Sequence, residues 1–123
     1  MSFRENAIKM LQIERKREGN FDILMLHGEV DASNSVILDK EIQLLLETDS
    51  KSILIDGTNL DYISSAGLGV FISYLEDFTD KGISFSIYGL KNQVFEVFKI
   101  LGLDQLIPIY EGKNEAFDGN YEL

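Results

Sequence analysis

Five residues, Ser52-Ile53-Leu54-Ile55-Asp56, limit what this chain can fold into more than any others. Three consecutive aliphatic side chains between polar neighbours make too short a run for a helix and show no alternation. They fit an interior strand of a sheet covered on both faces. Such a strand needs helical crossovers to its neighbours, and the flanking sequence provides them. Before it, Leu38, Ile42, Leu45 and Leu46 recur at helical spacing, while Asp39, Lys40, Gln43 and Glu47 fall elsewhere on the wheel. After it, the spacing predicts a helix from about Ser65 to Asp80, with Leu68, Phe71, Ile72, Leu75 and Phe78 buried and Lys81-Gly82 as its stop.

The remaining elements follow from local signals. Ile8 to Arg17 and Phe21 to His27 flank the turn Glu18-Gly19-Asn20 and read as an antiparallel hairpin. Gly28 to Ser35 reads as a polar loop whose Asp and Ser residues suit a helix start, and Gly57 to Ile63 as a second loop. Ile83 to Tyr88 alternates with period two, as a strand does. A third helix runs through Gln93 to Leu101, with Val94, Val97, Phe98 and Leu101 inward and Gly102 at the left-handed stop. Pro108 confines Leu106 to Tyr110 to a sheet edge. The order ββαβαβα with a final short strand predicts an α/β fold: one domain over residues 1–110, a mixed, mostly parallel sheet with an antiparallel N-terminal hairpin, and helices starting near Ser33, Ser65 and Lys91. Residues 111–123 are acidic and short of aliphatic side chains, and read as a loosely held tail.

Composition excludes several function classes. At 123 residues the chain supports one hydrophobic core. Its net charge of −10 disfavours nucleic acid and anionic membrane surfaces as partners. The absence of cysteine removes thiol nucleophiles and thiolate metal sites, and a single histidine, His27, forms no metal cluster, so no metal or cofactor is expected. His27, at a strand end beside a glycine, reads as structural. The first residues lack the basic-then-apolar pattern of a secretory signal, and no apolar run approaches the ~18 residues needed to span a bilayer, so a cytoplasmic location is expected.

The informative stretch is Leu60 to Phe71, where Ser64, Ser65, Gly67 and Gly69 crowd the junction of an outgoing loop and a helix. Unpaired backbone amides and the helix dipole make that junction a seat for an anion, free or attached to a serine. On local grounds alone, one of the two serines is an N-cap and the glycines permit close packing. Gly67 and Gly69 lack the third glycine of a dinucleotide fingerprint, and no Gly-Lys-Ser/Thr follows. On local grounds Asp31 reads as a cap for the next helix. Asp56 ends the interior strand, where open α/β sheets place ligand-facing groups, and Asp61 reads as a solvated loop carboxylate.

Three stretches together resemble the STAS family, the domain of sulfate transporter tails and bacterial anti-sigma factor antagonists. Gly28-Glu29-Val30-Asp31 is similar to the family's loop after its second strand, Ile53-Leu54-Ile55-Asp56 to its central strand, and Tyr62-Ile63-Ser64-Ser65-Ala66-Gly67-Leu68-Gly69-Val70 to its phosphorylation motif. The resemblance runs from about Ile8 to Tyr110. By its register the modified serine is Ser65, and Ser64 stands where many relatives have aspartate. The resemblance also implies a second role for Asp31, as an acidic neighbour of the modified serine.

The resemblance implies a non-enzymatic antagonist that switches partners. Unmodified, it binds an anti-sigma factor that is also a serine kinase, which then phosphorylates it from ATP, and a metal-dependent serine phosphatase resets it. ATP and magnesium belong to the kinase. Asp31, Ser64, Gly67, Gly69, Val70, Ser73 and Tyr74 are the expected partner-binding residues, the last four as a docking surface outside the helix's buried stripe. The alternatives are a non-phosphorylated STAS scaffold and an anion- or nucleotide-binding module.

Overall fold

A computed structural model describes residues 10–121. The described residues form a five-stranded sheet in the order β1-β2-β3-β4-β5. β1 (Gln12–Glu18) pairs antiparallel with β2 (Phe21–Val30). β2, β3 (Ser52–Ile63), β4 (Ser84–Tyr88) and β5 (Ile109–Tyr110) are parallel, with β5 at the edge as the proline requires. α1 (Ser35–Leu46), α2 (Ser65–Lys81) and α3 (Asn92–Ile100) connect the parallel strands in turn, and α4 (Lys113–Tyr121) closes the chain. Ile8, expected in the first strand, lies outside the described residues.

Strands added one after another in the same direction through right-handed crossovers place every crossover helix on one face of the sheet. The core follows that rule. Leu24, Leu26, Ile53, Ile55 and Ile87 point toward Leu38, Ile42, Phe71 and Phe98 of α1, α2 and α3, forming the main cluster. Alternate residues point the other way: Phe21, Ile23, Leu54 and Tyr88 form a second cluster with Ala116 of α4. The Ile53-Leu54-Ile55 run is therefore apolar throughout because its two sides face two different cores.

The predicted loop Gly57 to Ile63 is strand instead, and so are the first three residues of the predicted loop Gly28 to Ser35. β2 continues to Val30 and β3 to Ile63, paired through His27↔Asn59, Gly28↔Leu60, Glu29↔Tyr62 and Val30↔Ile63. The register shifts between Met25 and His27 and again between Gly28 and Glu29, each time leaving one extra residue in β3. Such bulges reset the period-two pattern, so Leu60 and Ile63, three apart, are both buried. Gly28 takes φ 100 at the second shift, a conformation that side chains resist.

Three further expectations are corrected. Ile72 is 46% exposed and Leu101 55% exposed rather than buried. On α2 the inward stripe rotates toward α1, so Val70 and Tyr74 pack against the core and Tyr74 donates its hydroxyl to the Asp39 carbonyl at 3.3 Å. The segment read as a loose tail forms α4 over residues 113–121. Ala116 is fully buried, the Phe117 ring stacks on Phe21 at 4.5 Å, and Lys113 pairs with Glu18. An apolar pair at two successive positions is too little periodicity to announce a helix, but it suffices to cover one end of the sheet.

Candidate functional site

β3 ends where α2 begins, and Ser64 sits at the join. Its amide donates to the Val30 carbonyl at 2.8 Å, its carbonyl accepts from Leu68 at 3.0 Å, and its hydroxyl accepts from the Gly67 amide at 3.3 Å. Ser64 is thus the N-cap, with extended backbone at φ −87 and ψ 172. Ser65, the first helical residue, is exposed, and its hydroxyl makes no hydrogen bond among the described residues. The first turn of α2 carries no acidic residue. One serine is used by the fold and the other is presented to solvent, at a helix end that stabilises negative charge.

The two glycines separate by environment. A Cβ on Gly67 would sit 2.6 Å from Val30 Cγ1 and 2.8 Å from Ile63 Cγ1, so close packing of α2 on the sheet requires a glycine there. Among the described residues a Cβ on Gly69 would meet nothing within 4 Å. Gly69 and the exposed Ser73 remain on the outer surface of α2, whereas Val70 and Tyr74 are half-buried. Burial first, then neighbouring Asp39, pushes the Tyr74 phenol up to about 12. Tyr74 thus holds α2 to α1, and the free surface expected on this helix narrows to Gly69 and Ser73.

Asp31 leaves the sheet one residue after Val30, the residue bonded to Ser64, so the loop it caps borders the α2 start. Its Oδ1 accepts from the Ser33 amide at 2.9 Å, the Ser33 hydroxyl at 2.7 Å and the Asn34 amide at 3.1 Å. Asn34 answers by accepting from the Asp31 amide at 2.9 Å and donating to the Glu29 carbonyl at 3.0 Å. Donation by the Ser33 hydroxyl, helped by the two amides, holds the Asp31 carboxyl below the usual aspartate range against an opposing effect of burial. Asp31 caps the loop with one oxygen, and Oδ2 has no hydrogen-bond partner among the described residues.

The other sequence candidates go elsewhere. Asp56 points to the sheet face that carries Leu54 and Tyr88. Its Oδ1 accepts from the Thr58 amide at 2.9 Å and hydroxyl at 2.7 Å, and its Oδ2 from the Tyr88 hydroxyl at 3.1 Å. Burial, with the Asp56 charge second, holds the Tyr88 phenol well above its ordinary value. Asp56 thus pins the first β3 bulge. Asp61 pairs with Lys91 at the start of α3. His27 Nε2 lies 3.4 Å from Glu14 Oε1 across the β1–β2 hairpin. Among the described residues no three His, Cys, Asp or Glu side chains group to hold a metal ion, and no helix is long and apolar enough to cross a membrane.

Sequence reasoning missed the exposed apolar side chains around this end. Val36 is 64% exposed and Ile37 46% on the first turn of α1, and Tyr62 is exposed three residues before Ser65. The signal was available, since Val36 and Ile37 fall off the stripe of Leu38, Ile42 and Leu45.

The STAS domain family matches residues 12–116. The chain is 26% identical over 110 residues to the anti-sigma-B factor antagonist of Listeria monocytogenes, covering 89% of this chain and 96% of that protein. Among solved structures, an anti-sigma factor antagonist from Mycobacterium paratuberculosis superposes with a TM-score of 0.83 at 16% identity, over 90% of this chain and 94% of that one. The antagonist SpoIIAA in its unphosphorylated form gives 0.75 at 17% identity, over 93% and 98%. With the family's motif residues at a β3–α2 junction and its sheet order in place, this chain belongs to the STAS domain family.

Proposed function

We propose that the chain is an anti-sigma factor antagonist that works by partner switching, controlled by phosphorylation of Ser65. The observation that carries this reading is the division of labour between the two serines: Ser64 caps α2, and Ser65 is exposed beside it with no hydrogen-bond partner for its hydroxyl among the described residues. The antagonist relatives support it, as does the solution of SpoIIAA in both unphosphorylated and phosphorylated forms. The chain supplies an acceptor hydroxyl and a docking surface, and the chemistry belongs to its partners, an anti-sigma factor that is a serine kinase and a metal-dependent phosphatase. Asp31, Ser64, Gly67, Gly69 and Ser73 surround or support that surface.

The physics suits such a switch. A phosphate brings about −1.5 to −2 charge, which the α2 N-terminus tolerates. At a partner interface the same charge is costly. One unfavourable unit-charge contact at ~4 Å costs on the order of 4 kcal/mol at an effective dielectric of ~20. At about 1.4 kcal/mol per tenfold, that breaks a complex without any refolding.

Mass spectrometry after incubation with the cognate kinase and ATP tests the assignment. One phosphate on Ser65, and none on the Ser65→Ala chain, is the expected result. Label on Ser64 would move the acceptor by one residue, and no label on either would leave the non-phosphorylated scaffold.

A further inference from the structure

β5 ends the sheet on the side away from β1, and no strand among the described residues covers its outer edge. The Pro108 and Tyr110 carbonyls point inward, accepting from the amides of Ile87 in β4 and of Gly89 just after it at 3.0 and 3.1 Å. Backbone groups alternate in direction along a strand, which turns the amide and the carbonyl of Ile109 outward. Neither has a hydrogen-bond partner among the described residues. Beside them, between β5 and the start of α3, lies a cavity of about 240 Å³. Leu90, Phe95, Ile109 and Tyr110 wall it, Asn92 and Glu111 give it a polar rim, and no basic side chain is among the described residues that line it. Ile100, Leu101 and Leu106, on the segment that leads from α3 into β5, are each more than half exposed.

We propose that this edge takes an extended segment of a protein partner as an added strand, antiparallel to β5, with the sequence pattern basic-x-apolar. The proposal goes beyond the Ser65 reading and does not rest on it. In an antiparallel pair one partner residue exchanges both bonds with Ile109, amide to carbonyl and carbonyl to amide. Residues opposite each other share a face of the sheet, so the side chain of that partner residue enters the cavity beside Ile109, against Leu90 and Phe95. An apolar side chain suits that wall. Two positions earlier in the partner lies the residue opposite Glu111, whose exposed carboxylate selects lysine or arginine. A second copy of this chain fits less well, since two chains of net charge −10 repel each other and β5 itself offers only 2 strand residues. A free small molecule in the cavity would leave the edge unpaired.

Amide NMR of the full, unphosphorylated chain titrated with the peptide acetyl-Thr-Arg-Thr-Leu-Thr-Thr-amide is the test. Saturable shifts centred on Leu90, Phe95, Ile109, Tyr110 and Glu111 are expected, with slower hydrogen exchange at the Ile109 amide. Three altered peptides separate the contributions. N-methylation of the leucine removes the donor to the Ile109 carbonyl, alanine in its place leaves the cavity empty, and glutamate for arginine reverses the charge facing Glu111. Each should bind at least about tenfold more weakly than the parent. Glu111→Gln, on an exposed side chain, should leave the spectrum otherwise folded and remove most of the preference for arginine over glutamate. Equal binding of the N-methylated peptide would overturn strand addition. So would shifts centred elsewhere, no saturable shift into the tens of millimolar, or a diffusion coefficient showing that a second copy of the chain already occupies the edge.

Discussion

Gly67 and Gly69 look equivalent in the sequence, yet the fold treats them oppositely, and the same is true of Ser64 and Ser65. Gly67→Ala forces a methyl into Val30 and Ile63, so it should cost on the order of 1–3 kcal/mol. Gly69→Ala meets open space on a helix and should stabilise by up to about 1 kcal/mol, the helix propensity difference. Ser64→Ala removes a cap and should cost about 1 kcal/mol, whereas Ser65→Ala should be nearly neutral. Urea denaturation of the four variants measures all of this, and equal effects within either pair would contradict the site geometry. Asp31 adds a pH dependence of definite sign. Its folded pKa is lowered, so its contribution to stability is fully present above the unfolded value near ~4 and is lost as pH falls through the folded value. A carbon-detected titration should place the Asp31 midpoint below that of an ordinary aspartate, and Ser33→Ala should raise it, because the Ser33 hydroxyl is the largest cause of the shift.

At the scale of elements, the three crossover helices were readable in the sequence, and the strand ends and α4 were not. Amphipathic spacing located α1, α2 and α3 to within about two residues. The continuation of β2 and β3 was hidden because two bulges break the alternation, and because Gly57, Thr58 and Asn59 have the composition of a turn. α4 was hidden for a different reason. It is held by few contacts, chiefly the Phe117 ring on Phe21, buried Ala116 and the Lys113–Glu18 pair. Phe117→Ala should therefore cost roughly 1–2 kcal/mol and speed amide exchange selectively along residues 113–119. Uniform acceleration across the sheet would show instead that α4 is part of the global folding unit.

For the whole molecule, the succession of elements, the strand directions and the serine junction could be read from the chain because they rest on short-range signals: period, turn chemistry and a motif. Which serine caps and which is presented depends on the β2–β3 register that brings the Val30 carbonyl to the Ser64 amide, and no local pattern encodes that. Val70 and Tyr74 were misplaced for the same reason, since the approach of α1 decides which side of α2 is covered. The central claim is that a charge at Ser65 controls partner binding without altering the fold. The most direct measurement is the affinity of the cognate anti-sigma factor for the unmodified and the Ser65-phosphorylated chain, taken with the thermal midpoint of each. A loss of about a thousandfold in affinity, matching ~4 kcal/mol, at a nearly unchanged midpoint is expected. Equal affinity of the two forms, or a loss that appears only because the phosphorylated chain unfolds, would contradict it.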